Sequence, residues 1–185
     1  MAHSIELLLD SHSDAAIRAD WQALADAGLP SQVNVKSATN RPHITLLAAE
    51  RISPDADDVL RELAPRLPMD CVVGAHVVFG GPVFGGTRMS LARLVVPSAE
   101  LLALHAEVYR LTLPHLTGHP FPHCRPGHWT AHATLGRRLT PVQVGAALAL
   151  APEVAPDLMA PDLMAEAVAL RRWDSDARTD HLLID

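Results

Sequence analysis

The sequence predicts an α+β fold: two pseudo-symmetric lobes of antiparallel sheet and helices, facing each other across a central cleft. Three observations lead to it. Segments with strand and helix periodicity follow one another as strand, helix, strand, helix, two strands, helix, strand, helix, two strands, so the order roughly repeats at the midpoint. One short phrase recurs about half a chain apart, as His43-Ile44-Thr45-Leu46 and His132-Ala133-Thr134-Leu135. The chain has 185 residues, 49% of them hydrophobic and 19% charged, which suits one globular domain over residues 1–185 with no need of staples.

Each element has its own local signal. Ser4 to Asp10 reads as a first strand. Ser13 or Asp14 is placed to cap a helix through Trp21 and Leu24, closed by Gly28 and Pro30. Pro42 suits the first residue of a strand and introduces one from His43 to Ala49. Ser53-Pro54-Asp55 opens a helix through Val59, Leu60 and Leu63 that ends near Pro68. Cys71–Phe79 and Arg88–Val96 are β-branched runs joined through Gly80-Gly81-Pro82-Val83-Phe84-Gly85-Gly86. That glycine-rich stretch lacks the Gly-Lys-Ser/Thr ending of a phosphate loop and reads as a hairpin connection. Ser98 caps a periodic helix carrying Leu101, Leu104 and Val108, and Pro114 stops it. A proline- and histidine-rich loop leads to a second motif strand from His128 to Gly136. Thr140-Pro141 opens a helix through Val144 and Leu148, and Ala165–Trp173 with His181–Ile184 form a closing hairpin. Between these last elements, Ala-Pro-Asp-Leu-Met occurs twice in tandem at 155–164, a pattern expected of a surface connection.

The repeated phrase carries the chemistry. Side chains alternate faces along a strand, so His43 and Thr45 share one face, as do His132 and Thr134, while Ile44, Leu46, Ala133 and Leu135 point inward. Imidazole titrates at about 6.5, so one histidine can take a proton from an attacking oxygen while another gives one to a departing oxygen. Threonine hydroxyls can hold the nonbridging oxygens of a phosphate between them. By the same parity Arg41, His128 and Thr130 are candidate substrate contacts, and Trp129 faces the core.

Other classes find little support in the residues. A formal charge of −6 argues against a long nucleic-acid track, although a local group of arginines can still hold a terminal phosphate. Cys71 and Cys124 form no C-x-x-C pair, so neither a disulfide framework nor a cysteine zinc site is expected. His115, His119 and His123 are interrupted by Gly118, Pro120 and Pro122, so they read as loop residues and not as metal ligands. Arg138 and the pair Arg171-Arg172 read as exposed charges. No apolar run approaches the roughly 20 residues of a membrane span, and two isolated cysteines make a reducing cytoplasm the default; a monomer without cofactor or metal is expected.

Arg41-Pro42-His43-Ile44-Thr45-Leu46 and the run from Pro126 through His132-Ala133-Thr134-Leu135-Gly136-Arg137 together resemble the 2H phosphoesterase superfamily. The resemblance is greatest to its bacterial 2′-5′ RNA ligase and RNA 2′,3′-cyclic phosphodiesterase branch. It covers most of the chain up to about Thr140. It implies a bilobal fold with His43 and His132 as the acid–base pair, Thr45 and Thr134 as phosphate clamps, and Arg137 as a further phosphate contact. The implied reaction is metal-independent hydrolysis of a 2′,3′-cyclic phosphate to a 2′-phosphate, on RNA ends or small nucleotide cyclic phosphates. The alternatives are 2′-5′ joining of such an end to a 5′-hydroxyl, and a non-catalytic module that binds nucleotide ends. Ala131 stands where the family commonly has proline.

Overall fold

The computed structural model describes residues 2–80, 87–150 and 162–185. Among these residues lie eight strands and four α-helices: β1 (His3–Leu9), α1 (Ser11–Asp26), β2 (His43–Ile52), α2 (Ala56–Arg61), β3 (Met69–Gly80), β4 (Met89–Val95), α3 (Ala99–Thr112), β5 (Leu116–Pro120), β6 (His132–Leu139), α4 (Pro141–Leu148), β7 (Leu163–Asp174) and β8 (Thr179–Ile184). The strands are antiparallel throughout, in the order β1-β2-β6-β4-β3-β7-β8, with β5 on the outer edge of β2. β7 also pairs with β1, so the hydrogen-bonded path returns to its start. One half is built on β1, β2, β5 and β8, the other on β3, β4 and β6. They meet where β7 runs from β3 to β1, and where β2 touches β6 at a single pair, Ile44↔Ala133.

β1 is buried along its whole length, as a strand flanked by β2 and β7 and covered by helix must be. Asp10 caps α1 by accepting from the Ser13 amide at 2.9 Å, and its second oxygen takes the Glu166 amide of β7, also at 2.9 Å. The helix therefore starts one turn earlier than the expected Ser13 or Asp14 cap, because Asp10 sits where the strand hands over. Ser13, Ile17, Trp21 and Leu24 form the buried stripe of α1. Ser98 caps α3, and Thr140 with Gln143 forms a reciprocal capping box on α4, both as expected. α2 is shorter than expected, because the chain tightens into a 3-10 turn at Ala64–Arg66 before Pro68.

Two further readings are corrected. The loop after Pro114 contains β5, a short edge strand with no hydrophobic alternation, held by its pairing with Ala49–Ile52. β6 begins at His132 and not at His128, because Pro126–His128 turns on Gly127 at φ 82°. The connection at 81–86 and most of the tandem repeat lie outside the described residues. β3 and β4 on either side of the former pair as a hairpin, and Leu163-Met164 of the second repeat opens β7.

Candidate active site

The two motif strands fold alike. From the histidine onward, both run half-buried, buried, half-buried, buried, buried: His43-Ile44-Thr45-Leu46-Leu47 and His132-Ala133-Thr134-Leu135-Gly136. Fully burying Ile44, Leu46 and Leu135 stabilises each strand by roughly 1.5–3 kcal/mol per side chain, which holds the register that puts both histidines outward. The pair Ile44↔Ala133 is antiparallel, so the next residues out bring His43 opposite Thr134 and Thr45 opposite His132. Each half thus offers its imidazole to the other half's hydroxyl.

Two doubled contacts set the geometry. Nδ1 of His43 donates to the Arg41 carbonyl at 2.7 Å, and Nδ1 of His132 donates to the Thr130 carbonyl at 2.7 Å. Each bond fixes the ring and leaves Nε2 as the proton-exchanging atom. The indole of Trp129 donates to the Thr45 carbonyl at 2.9 Å, and the indole of Trp21 donates to the Thr134 carbonyl at 2.9 Å. Trp129 also stacks on His105, ring centres 4.0 Å apart and within 2° of parallel, and packs against the core as expected.

A bulge places Arg137. In both motif strands one extra residue is inserted three positions after the histidine: the partner register skips Leu46 between Ile5 and Glu6, and skips Leu135 between Leu91 and Ala92. Five residues past a histidine is an odd step, which regular alternation would send to the opposite face. The bulge restores it, so Arg137 stands on the face of His132 and Thr134. Ala48 occupies the matching place in the first half. Gly136 is required at the bulge, since a Cβ there would lie 2.3 Å from the Pro30 carbonyl oxygen.

The surroundings of the two histidines differ. Glu6 of β1 lies across the ladder from Thr45 and is buried, with Oε1 3.6 Å from Nε2 of His43. Burial pushes its carboxyl up. The nearby His43 charge, the Arg171 guanidinium and the Ser4 hydroxyl outweigh that and hold it below the usual glutamate range. His132 has no such neighbour among the described residues. Burial pushes its imidazole down; the Thr130 carbonyl opposes this, and the charges of Arg137, His43 and His123 add to the depression. The ring of Phe79 lies 4.6 Å from that of His132, tilted by 48°.

The structure brings together His43, Thr45, His132, Thr134 and Arg137, and places the other candidate contacts, Arg41, His128 and Thr130, in the segments that lead into the two strands. His128 is an exposed turn residue, and Thr130 reaches His132 through its carbonyl, since neither lies on β6. The Arg41 side chain is half-exposed with Nε 3.5 Å from Asp14, and its carbonyl is what engages His43. Arg138 is exposed, but Arg171 and Arg172 are buried, at 3% and 1% exposure. They pair with Glu6 and Asp57 respectively, and those acidic partners lie too far along the chain to be anticipated. Sequence reasoning missed Glu6, Arg171, Phe79 and His123. Phe79 alone carried a usable signal, as an aromatic residue at the end of a hairpin strand. Both cysteines are free and buried, and burial raises both thiols, that of Cys71 to about 11. Among the described residues one trio has the spacing of cation ligands: His3, Asp174 and Asp176. Asp174 accepts the amides of Asp176 and Ala177, and Asp176 pairs with Arg51 at 2.8 Å, so the trio is occupied in closing the β7–β8 hairpin.

No helix among the described residues is long and apolar enough to cross a membrane. The fold is similar to solved structures of low sequence identity. A structure of TT0787 of Thermus thermophilus matches with TM-score 0.55 and 15% identity, covering 99% of this chain and 95% of that one. Escherichia coli LigT complexed with NADP+ matches with TM-score 0.53 and 13% identity, covering 99% and 93%. Kluyveromyces marxianus Usb1 matches with TM-score 0.52 and 14% identity, covering 100% and 98%. No curated protein matches the sequence. The family model described as the 2′-5′ RNA ligase superfamily matches residues 13–177, which include both histidine motifs, and the chain belongs to that superfamily.

Proposed function

We propose that this protein hydrolyses a 2′,3′-cyclic phosphate to a 2′-phosphate, with His43 and His132 as the acid–base pair. The observation that carries the reading is the doubled Nδ1-to-carbonyl bond, which presents two Nε2 atoms from strands that meet at one residue pair. The base must be neutral and the acid protonated at the same pH. His132, pushed down by burial and by the charges of Arg137 and His123, suits the base. His43, with Glu6 beside Nε2, suits the acid.

In the proposed reaction Nε2 of His132 takes a proton from water as its oxygen attacks phosphorus. The bond from phosphorus to O3′ breaks, and O3′ receives the proton from Nε2 of His43. Thr45, Thr134 and Arg137 hold the nonbridging oxygens, whose charge grows in the transition state. These two imidazoles supply both proton transfers without a cofactor. A 5′-hydroxyl in place of water would give a 2′-5′ joint by the same steps, and the match to a 2′-5′ RNA ligase superfamily model favours keeping that second reading. Binding of a nucleotide-sized ligand accords with two similar structures, Usb1 with uridine monophosphate and LigT with NADP+. The formal charge of −6 favours a short substrate or an RNA end.

The test is turnover of 2′,3′-cyclic nucleotides, with the product identified by phosphorus NMR. His43→Ala and His132→Ala should each cost about two orders of magnitude or more. Near-parental hydrolysis by either variant, or a 3′-phosphate product, refutes the reading.

A further inference from the structure

The first motif has a charged row behind it that the second lacks. Across β2, β1 and β7, on the face that carries His43, the ladder places Thr45, Glu6 and Arg171 side by side. Across β6, β4 and β3 the corresponding row is Thr134, Ala92 and Val77. The second half builds the same strands and bulge with alanine and valine there, so the fold does not need the ion pair. Desolvating a carboxylate and a guanidinium offsets much of their attraction, so a buried pair of this kind contributes little net stability.

Its connections point toward His43. Glu6 Oε2 accepts from Nε of Arg171 at 2.8 Å, with Nη2 also at 2.8 Å, and Oε1 accepts from the Ser4 hydroxyl at 2.6 Å. Arg171 Nη1 donates to Asp180 of β8 at 2.8 Å and to the Thr39 carbonyl at 3.0 Å, in the loop that enters the motif. Donors thus hold both carboxylate oxygens, and Oε1, which takes the Ser4 hydroxyl, also lies 3.6 Å from Nε2 of His43. Other ionisable groups around His43 are His132 of β6, and Arg41 with its partner Asp14 of α1. Protonated His43 has an acceptor for Nδ1–H in Arg41 and an anion beside Nε2–H in Glu6.

We propose that Glu6, fixed by Arg171 and Ser4, is a positioning residue that keeps the transferable proton on Nε2 of His43. This rests on the acid–base reading above. Glu6→Gln preserves size and removes the charge. The double variant Glu6→Ala/Arg171→Val copies the other half of the fold and leaves no unpaired guanidinium.

In both variants the alkaline limb of the pH–rate profile should move toward acid, with kcat on that side falling severalfold and KM nearly unchanged. A cyclic substrate with sulfur in place of O3′ leaves as a thiolate and needs no proton, so it should restore most of the lost rate. A purely structural defect would slow both substrates alike. A nitrogen NMR titration of the His43 ring reads the same effect without turnover, with loss of the ring proton at lower pH in the variants. An unchanged titration, or an unchanged alkaline limb with equal slowing of both substrates, overturns the proposal. A parent protein inert to every cyclic phosphate would overturn the functional reading instead, and the ring titration would still decide the role of Glu6.

Discussion

Replacing Trp129 with phenylalanine tests how the motif strands are held. The change keeps a ring to lie on His105, whose centre is 4.0 Å from the indole, and removes the N–H that donates to the Thr45 carbonyl at 2.9 Å. A hydrogen bond contributes about 0.5–1.5 kcal/mol net, and an acceptor left buried without a partner costs about 1–3 kcal/mol. Trp129 is only partly buried, so water recovers some of the loss. The expected destabilisation is about 1–2 kcal/mol, read as a lower urea midpoint at unchanged slope. Thr45 is the proposed phosphate clamp, so a carbonyl released behind it should also lower kcat/KM by about tenfold, or 1.4 kcal/mol of transition-state stabilisation. The pH limbs should stay in place, because neither Nδ1 bond is disturbed. Trp21→Phe removes the matching bond to the Thr134 carbonyl and should act in parallel. If both variants unfold within about 0.5 kcal/mol of the parent, the indoles do not support the clamps and the reasoning fails.

Three further outcomes are expected. The acid limb of kcat/KM should lie below the ordinary imidazole value of about 6.5, since His132 is the proposed base and its imidazole is depressed. Arg137→Gln should move that limb upward, and a limb that stays put shows that Arg137 does not act on His132. Thr134→Val keeps the shape and removes the hydroxyl, so kcat/KM should fall by about tenfold or more with stability within about 0.5 kcal/mol; calorimetry alongside kinetics checks both halves. Asp10→Ala should cost about 1–2 kcal/mol in urea denaturation through the lost cap. Burial pushes the Asp10 carboxyl up, but the Glu166, Ser13 and His12 amides and the Ser13 side chain hold it at about 2. Its contribution is therefore complete above the unfolded value of about 3.9 and disappears as pH falls toward about 2.

The motif strands are legible in the sequence because their signal is local. His43 to Leu46 and His132 to Leu135 alternate, and alternation alone says which side chains share a face. The same rule is stretched where it runs past the strand: Trp129 and Ala131 still pack inward, but the chain turns on Gly127 before β6 begins, so strand alternation does not carry back to His128. Arg137 comes from family resemblance, since simple parity from His132 would place it on the far side. What corrects the parity is a bulge at Leu135, with Gly136 packed under the Pro30 carbonyl, a contact between residues over a hundred positions apart. Glu6 and Arg171 are invisible for the same physical reason. An isolated glutamate in Ile5-Glu6-Leu7 reads as the wet side of a strand, and Arg171-Arg172 as a charged run. Only the β1–β7 pairing shows that both are buried and that they meet.

Two identical imidazoles in identical settings would lose their protons in two steps that belong to the pair, and between those steps the remaining proton would sit on either ring equally, so neither ring would be fixed as the base. A fold with two similar halves supplies two equivalent clamps and two equivalent histidine anchors, which suits a roughly symmetric phosphate but leaves the proton transfers undirected. The residues that differ between the halves remove the equivalence. Thr45, Glu6 and Arg171 stand against Thr134, Ala92 and Val77, and Arg137 stands against Ala48. An anion lies beside one histidine, and cations beside the other. On the proposed reading the duplicated threonines clamp the phosphate, Arg137 adds a contact on one side only, and the unduplicated charges set the direction of proton flow. Moving the carboxylate alone, with Ala92→Glu and Glu6→Ala together, should therefore set the anion against the bias that Arg137 imposes and lower kcat/KM for a cyclic phosphate more than either change alone.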